Sequence, residues 1–262
     1  MTTLLALDIG NTQVAMGAFD GERLAATWRF STDSRRTEDE HELLMSGLLQ
    51  ARNVDPAALG AIVMCSTAPT ITRLVERALV QMTGLDPLVV GPGVRTGIRI
   101  SYDRTHDVGS DRVANTVAAH SLYGGPTIVV DFGTPTVFDA ITEAGEYLGG
   151  AISPGLLAAA EALYERTAQL RRVDLATPPS AIGRNTVASM QSGLLYGYVG
   201  LVEGMVHRFK NELSPDDPSR CKVVATGGLA RLINQHTAVF DEVNPELTLV
   251  GLRLIHERNV QQ

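Results

Sequence analysis

The chain has 262 residues, of which 44% are hydrophobic and 19% are charged, and its formal net charge is −7. This composition is typical of a soluble globular protein, and the length suits one large domain or two of ordinary size. The acidic balance and the lack of a basic stripe argue against a nucleic-acid surface. Because no apolar run reaches roughly 18 residues, no membrane span is expected.

The start of the chain and its cysteines predict a cytoplasmic protein. Met1 lies so close to the first predicted strand that no room is left for a signal peptide. Cys65 and Cys221 have neither metal-binding nor redox spacing, and a reducing compartment is the default for such thiols.

The first part of the chain predicts three strands, then a helix, a strand, a helix and a strand. Asp20 and Gly21 form the turn of a hairpin, Thr37 and Glu40 a capping box, and Pro69 the start of the second helix. The predicted strands are 4–8, 12–19, 23–30, 60–65 and 88–90, and the helices are 37–51 and 69–83. The order βββαβα is the elementary unit of the ribonuclease-H-like fold.

An extended segment, 98–103, carries Tyr102 and precedes a helix that continues to about residue 122. Gly109 and Ser110 form the turn into this helix, so Asp111 and Arg112 lie in its first turn, at the positive end of its dipole. An acid at this position can be a simple helix-start residue with a low pKa. The charged residues near Asp111 in the sequence favour a functional role for Asp111.

The second part of the chain repeats the strand-rich order. Strands are predicted at 127–131, 136–142, 147–152 and 223–226, and helices at 156–170, 186–213, from 229 onward and at 247–259. Either Asn185 or Thr186 can cap the long helix.

Two stretches share the pattern strand, Asp-x-Gly, strand. In IVVDFGTPTVFD, residues 128–139, Asp131 and Gly133 occupy the places that Asp8 and Gly10 hold in LLALDIGNTQVAMG, residues 4–17. One copy alone is compatible with an ordinary hairpin, whereas two copies indicate an internal duplication. We therefore predict an α/β protein of two ribonuclease-H-like lobes, residues 1–118 and 119–262, with a cleft between them that would hold a ligand.

The chain has neither a Walker A loop nor a Rossmann glycine pattern. A bound nucleotide would therefore depend on the backbone N–H groups of the two Asp-x-Gly turns and on the side chains of Asn11, Thr12 and Thr134. Carboxylates repel phosphate, so Asp131 is expected to bind a cation. Asp111 could accept the proton of an attacking hydroxyl group, and Arg112 could hold an anionic acceptor.

The predicted long helix carries glycines at i, i+4, i+7 and i+11, which share one face: Gly193, Gly197, Gly200 and Gly204. Each internal glycine costs about 1 kcal/mol relative to alanine, so close packing of another helix is expected there. That helix could come from the same chain or from a second copy, and a homodimer is favoured.

Several motifs occur in the same order as in a known family: DIGNT at 8–12, YD at 102–103, VGSDR at 108–112, DFGT at 131–134, GGAISPG at 149–155, MQSG at 190–193, TGG at 226–228 and GLRLIHERN at 251–259. With these motifs the chain resembles type III pantothenate kinases nearly end to end. That family belongs to the superfamily of acetate kinases, sugar kinases, Hsp70 and actin.

The resemblance implies ATP-dependent phosphorylation of pantothenate, with Mg²⁺ accompanying ATP, a monovalent cation (K⁺ or NH₄⁺) at Asp131, and a homodimer. It implies Asp111 as the catalytic base. It implies ATP binding by Asp8, Ile9, Gly10, Asn11, Thr12, Gln13, Val14, Ala15 and Thr134. It implies pantothenate binding by Tyr102, Gly109, Ser110, Asp111, Arg112 and Thr186.

The chain departs from the family pattern at several positions. Ser110 replaces the usual alanine, Arg104 and Thr105 replace Asn-Pro, and Arg184 replaces lysine. Pro135 removes one backbone N–H from the second turn. Pro135 favours the rival hypothesis of a non-catalytic relative that acts as an accessory factor, and a kinase for another hydroxy acid or sugar is a further alternative.

Overall fold

The computed structural model describes residues 3–166 and 172–260, which form two compact units. Within the described chain, the first unit contains residues 3–98, 103–118 and 247–260. The second contains residues 99–102 and 119–246. The end of the predicted helix at 167–170 lies outside the described residues.

The first unit is built on a mixed five-stranded sheet with strand order β3-β2-β1-β4-β5. Its strands are β1 (Thr3–Ile9), β2 (Gln13–Asp20), β3 (Arg23–Ser31), β4 (Leu59–Ser66) and β5 (Leu88–Val89). Its helices are α1 (Glu38–Gln50), α2 (Pro69–Thr83), most of α3 (Ser110–Tyr123) and α7 (Leu247–Val260).

Both faces of strand β1 are buried, because alternate side chains enter two different hydrophobic clusters. Leu5 and Leu7 pack in a cluster with residues of α1 and α2. Leu4 and Ala6 pack in a cluster with residues of α3 and α7. This burial on both faces fixes the position of the polar end of β1.

The start of α1 agrees with the sequence prediction. Thr37 accepts a hydrogen bond from the backbone of Glu40, and the Glu40 side chain accepts one from the backbone of Thr37. In this helix Leu43 is 77% exposed, whereas His41 is buried.

The second unit contains a five-stranded sheet with strand order β10-β9-β6-β7-β8. Its strands are β6 (Thr127–Phe132), β7 (Pro135–Ile141), β8 (Tyr147–Pro154), β9 (Lys222–Thr226) and β10 (Glu242–Val243). Its helices are α4 (Leu156–Arg166), α5 (Thr186–Leu213) and α6 (Ala230–Asn234). Asn185 caps α5 by accepting a hydrogen bond from the Ala188 backbone at 2.9 Å.

The two sheets have the same internal order, so the predicted duplication and the α/β fold of two ribonuclease-H-like lobes are confirmed. Asp8 pairs with Ala15 on the antiparallel side and with Cys65 on the parallel side. Its counterpart Asp131 has the equivalent neighbours in β7 and β9.

The structure divides the chain differently from the expected boundary at residue 118 in two places. The final helix, which the sequence assigned to the second lobe, packs in the first unit because Leu249, Leu252 and Ile255 are buried against its sheet. Conversely, residues 99–102 belong to the second unit, where Ile100 forms an isolated bridge with Tyr147.

No helix among the described residues is long and apolar enough to span a membrane. On α5, a Cβ atom added at any of the four striped glycines would meet no other atom within 4 Å. Within residues 3–166 and 172–260, therefore, no helix packs closely against this face.

Candidate active site

Asp8 lies near the end of β1, beside the parallel strand β4. Its Oδ1 accepts a hydrogen bond from the Cys65 thiol at 3.3 Å. Burial, and then the negative charge of Asp111, raise the pKa of Asp8 to about 7, while the thiol and Arg29 act in the opposite direction. Asp8 and Asp111 are therefore close enough within the first unit to influence each other's ionisation.

The turn after Asp8 is tightly braced. The Gly10 N–H donates to the Gln13 carbonyl at 3.0 Å, and Thr32 donates through its backbone to Thr12 O at 2.9 Å and through its hydroxyl to Gly10 O at 2.6 Å. The Gly10 N–H is thus used within the turn. The side chains of Asn11, Thr12 and Gln13 are exposed at the tip, where a ligand could reach them.

Three other residues of the predicted ATP-binding stretch are less accessible. The side chains of Ile9 and Val14 are fully buried in the core, and Ala15 is partly buried. Of this stretch, Ile9 and Val14 can therefore offer only backbone groups to a nucleotide.

Asp111 lies in the first turn of α3, with its carboxylate folded back over Gly109. A Cβ atom on Gly109 would collide with Asp111 Oδ1, so glycine is needed to leave room for the carboxylate. The backbone N–H of Arg112 donates a hydrogen bond to the same oxygen of Asp111 at 2.9 Å. Burial raises the pKa of Asp111 despite this bond and the charge of Arg112. The low pKa expected at a helix start is wrong, because desolvation outweighs the helix-start effects.

Ser110 ties the start of α3 to the end of β4. Its Oγ accepts a hydrogen bond from the Ser66 N–H at 3.2 Å and donates one to the Ser66 carbonyl at 3.2 Å. The family's usual alanine could make neither bond. The Ser110 side chain is thus directed into the first unit, which leaves its backbone as the group that could contact a substrate. Arg112 is 8% exposed.

In the second unit, Asp131 lies between two glycines at the end of β6. A Cβ atom on Gly227 would come within 2.5 Å of Asp131 Oδ1, and one on Gly133 within 3.8 Å. Because glycine has no side chain, backbone carbonyl oxygens can approach the carboxylate closely. Such an arrangement suits a cation that is coordinated by oxygen. Among the described residues there is no cluster of three His, Cys, Asp or Glu side chains that could hold a metal ion.

The turn after Asp131 exposes Thr134 and buries Thr136. Thr136 is fully buried and hydrogen-bonded to the Tyr198 hydroxyl of α5, so its hydroxyl is not accessible to a phosphate. Gly155 passes so close to the Thr134 carbonyl that a Cβ atom there would clash. Thr134 is therefore the exposed hydroxyl of this turn.

Two other predicted acceptor-binding residues lie in the second unit. Tyr102 is 37% exposed, and its ring packs against Tyr147 with the centroids 6.1 Å apart. Thr186 is exposed at the start of α5 and lines a cavity of about 780 Å³ with neighbours that include Arg184 and Asn185.

The structure thus brings Asp8, Gly109, Ser110, Asp111 and Arg112 together in the first unit, and it places Tyr102, Asp131, Thr134 and Thr186 in the second. Sequence reasoning missed the thiol of Cys65 and the bracing role of Ser110. The available signal was the parallel pairing of β1 with β4, which puts Cys65 beside Asp8.

Two sheets of equal order, each with an aspartate near the end of its first strand, define a class of α/β proteins built from two similar units. Solved structures support this class. An inorganic polyphosphate/ATP-glucomannokinase from an Arthrobacter strain is 14% identical, covers 100% of both chains and has a TM-score of 0.51. A chain from Campylobacter jejuni, named as a candidate Baf family transcriptional activator, is 16% identical over 98% of this chain and 100% of that one, with a TM-score of 0.61.

Within that class, the family model of type III pantothenate kinase matches residues 4–208. A type III pantothenate kinase of Moorella thermoacetica is 47% identical over 98% of this chain and 99% of the relative. Another, of Streptomyces coelicolor, is 48% identical over 99% of both. The chain belongs to the type III pantothenate kinase family and is a kinase, which implies ATP with Mg²⁺.

Proposed function

We propose that this chain transfers the γ-phosphoryl group of ATP to the primary hydroxyl of pantothenate. The products are 4′-phosphopantothenate and ADP, and the reaction is the first step of coenzyme A biosynthesis. The near full-length identity to type III pantothenate kinases supports this reaction. The observation in the structure that carries it is Asp111, a partly buried carboxylate with a raised pKa at the start of α3.

Asp111 acts as the general base. It accepts the proton of the hydroxyl group as the oxygen attacks the γ-phosphorus and the bond to ADP breaks. A base works best when its pKa lies near the operating pH, and burial moves the pKa of Asp111 in that direction. Gly109 leaves room for the carboxylate, and the backbone N–H of Arg112 orients it.

The braced turn after Asp8 and the exposed hydroxyl of Thr134 bind the phosphates. Phosphoryl transfer depends chiefly on positioning and on neutralising charge. The exposed Asn11, Thr12 and Gln13 supply polar contacts, and Mg²⁺ bound to ATP offsets the negative charge of the phosphates. Asp8, whose pKa is about 7, is partly protonated at neutral pH and repels phosphate less than an ordinary aspartate does.

The acceptor is bound by Tyr102, the backbone at Gly109 and Ser110, Arg112, and Thr186. Arg112 supplies the positive charge that complements the carboxylate of pantothenate. Thr186 lines the cavity at the start of α5.

Asp131 holds a monovalent cation, potassium or ammonium. The glycines beside its carboxylate leave open backbone there, so the Asp131 carboxylate would supply the negative charge that a cation needs. The cation supplies a positive charge beside the phosphate-binding turn that carries Thr134.

The protein acts as a homodimer in the cytoplasm. The open glycine stripe of α5 supports the dimer, since the described residues place nothing against it. Both ATP and the pathway that consumes phosphopantothenate are found in the cytoplasm.

An acceptor panel tests the proposal. The purified protein is assayed for ADP release with Mg²⁺-ATP and pantothenate, other small hydroxy acids or sugars, and the products are weighed by mass spectrometry. We expect pantothenate to give the highest kcat/KM and a product heavier by one phosphoryl group. A higher kcat/KM for a sugar would assign another acceptor, and no turnover by folded protein would favour the non-catalytic relative.

A further inference from the structure

A buried tyrosine and a buried carboxylate are hydrogen-bonded to each other on neighbouring strands of the second-unit sheet. Tyr147 of β8 and Asp139 of β7 are both fully buried, and the Tyr147 hydroxyl donates to Asp139 Oδ1 at 3.1 Å. Removing either partner would leave a desolvated polar atom, so the pair fixes the Tyr147 ring firmly. A hydrophobic residue would fill this place at lower cost, which points to a role beyond packing.

The backbone of Tyr147 also holds the segment that carries Tyr102. The Ser101 N–H donates to the Tyr147 carbonyl at 2.8 Å, and the Tyr147 N–H donates to the Arg99 carbonyl at 2.8 Å. Glu146, the preceding residue, forms an ion pair with Arg99 at 3.2 Å. Residues 99–102 are thereby attached to the edge of β8.

The ring of Tyr102 rests on a surface formed by two residues of β8. It packs against the Tyr147 ring at an interplanar angle of 48°. It also covers Gly149, where a Cβ atom would lie 3.3 Å from Tyr102 Cε2. Gly149 has a φ of +134°, which other residues rarely adopt, so the backbone favours glycine, and a Cβ atom there would crowd the Tyr102 ring.

We infer that Tyr147, anchored by Asp139, is a positioning residue that orients Tyr102 for binding of the acceptor. The inference rests on the proposed function, because it gives Tyr102 an acceptor to bind. A side chain that only filled the core would affect stability alone. A positioning residue affects the KM of the acceptor through Tyr102 and through no other contact.

Kinetics of Tyr147→Phe test this role, since the variant keeps the ring and loses only the hydroxyl. We expect the KM for pantothenate to rise roughly three- to tenfold, the effect of losing one orienting hydrogen bond, while kcat and the KM for ATP stay within about twofold. Asp139→Asn retains an acceptor oxygen and should be nearer to the parent than Asp139→Ala. Tyr164→Phe is the matched control, because its hydroxyl donates to the Val173 carbonyl of the same unit.

A double-mutant cycle separates positioning from general weakening. In a Tyr102→Ala background, Tyr147→Phe should raise the KM for pantothenate no further, because the group that it orients is gone. An equal rise in both backgrounds would overturn the inference, as would an unchanged KM in Tyr147→Phe itself.

A readout without pantothenate keeps this inference separate from the proposed function. The protein is labelled with 3-fluorotyrosine at its six tyrosines, and the ¹⁹F resonance of Tyr102 is assigned by its loss in Tyr102→Phe. We expect Tyr147→Phe to shift this resonance. If Tyr147→Phe does not fold, Asp139→Ala is used in its place. Tyr164→Phe should leave the resonance where it is. An unmoved resonance would overturn the inference. A shifted resonance in a protein that does not phosphorylate pantothenate would instead reject the proposed function.

Discussion

Asp8 carries a carboxyl group whose pKa lies at about 7, because burial and the nearby charge of Asp111 disfavour its ionised form. Its ordinary value in an unfolded chain is 3.8. Between these two values the folded protein binds more protons than the unfolded protein, so this group makes stability fall as the pH rises from about 4 to about 7.

Asp8→Asn should remove that loss of stability. We expect the variant to melt at a higher temperature than the parent at pH 8, with the difference shrinking toward pH 4, in EDTA and without nucleotide. Asp33→Asn is the control of opposite sign. Hydrogen bonds from Arg35 lower the pKa of Asp33 to about 2, so this variant should lose stability above pH 4. A difference between Asp8→Asn and the parent that does not change with pH would contradict the account.

The sequence predicted where the candidate side chains of this site lie better than it predicted their ionisation. The two Asp-x-Gly turns and the helix start single out Asp8, Asp131 and Asp111 without any structure. The thiol of Cys65 and the raised pKa values depend on strands and helices that are distant in the chain and become adjacent only in the folded unit. No local pattern carries that information.

Asp131 gives a second test at the residue scale. Asp131→Asn removes the negative charge that is proposed to hold the monovalent cation, while the amide keeps the shape of the side chain. We expect the parent to lose activity when sodium replaces potassium and the variant to be equally slow in both salts. Steady-state rates at constant ionic strength measure this. A variant that still responds to potassium as the parent does would remove the cation from this position.

At the scale of elements, Ser110 braces the first turn of α3 against the end of β4. Ser110→Ala removes both hydrogen bonds to the Ser66 backbone and leaves a partly buried N–H and carbonyl without that partner. We expect a loss of about 1–2 kcal/mol in the free energy of unfolding, measured by denaturant titration, together with a lower kcat.

Ser219→Ala is the control for this prediction, because Ser219 is exposed and its hydroxyl bonds to Asp217 in a surface turn. Ser219→Ala should leave both the free energy of unfolding and kcat unchanged within experimental error. An unchanged kcat in Ser110→Ala would show that the brace does not position Asp111.

Elements were predictable where the signal is local. The capping box of α1 lies wholly within four residues, and the structure reproduces it. The final helix was predicted at 247–259 and is observed at Leu247–Val260, but it packs against the sheet of the first unit and not in the second lobe, to which the sequence assigned it. Amphipathic spacing tells which face is buried and does not tell which sheet covers it. Leu249 and Leu252 pack in the first unit, more than two hundred residues from β1 along the chain.

For the whole molecule, the glycine stripe of α5 predicts how two copies associate. Gly200→Leu adds a side chain where the described residues leave open space, so one copy should fold normally. The same side chain would block close approach of a second helix. We expect analytical ultracentrifugation to show a dimer for the parent and a shift toward monomer for the variant.

Gly47→Leu is the matched control, since Gly47 is an exposed helical glycine of α1 that also has open space around its Cβ position. It should leave the assembly unchanged. A parent that is monomeric, or a Gly200→Leu protein that dimerises like the parent, would exclude this face as the interface.

The role of Asp111 as the base of a pantothenate kinase is tested directly by one comparison. ADP release with Mg²⁺-ATP and pantothenate is measured for the parent, for Asp111→Asn and for Asp107→Asn, whose carboxylate is exposed just before α3. We expect pantothenate-dependent release by the parent and by Asp107→Asn, and a kcat reduced by at least about a hundredfold in Asp111→Asn with the KM for ATP unchanged. Near-parental turnover by Asp111→Asn would contradict the account.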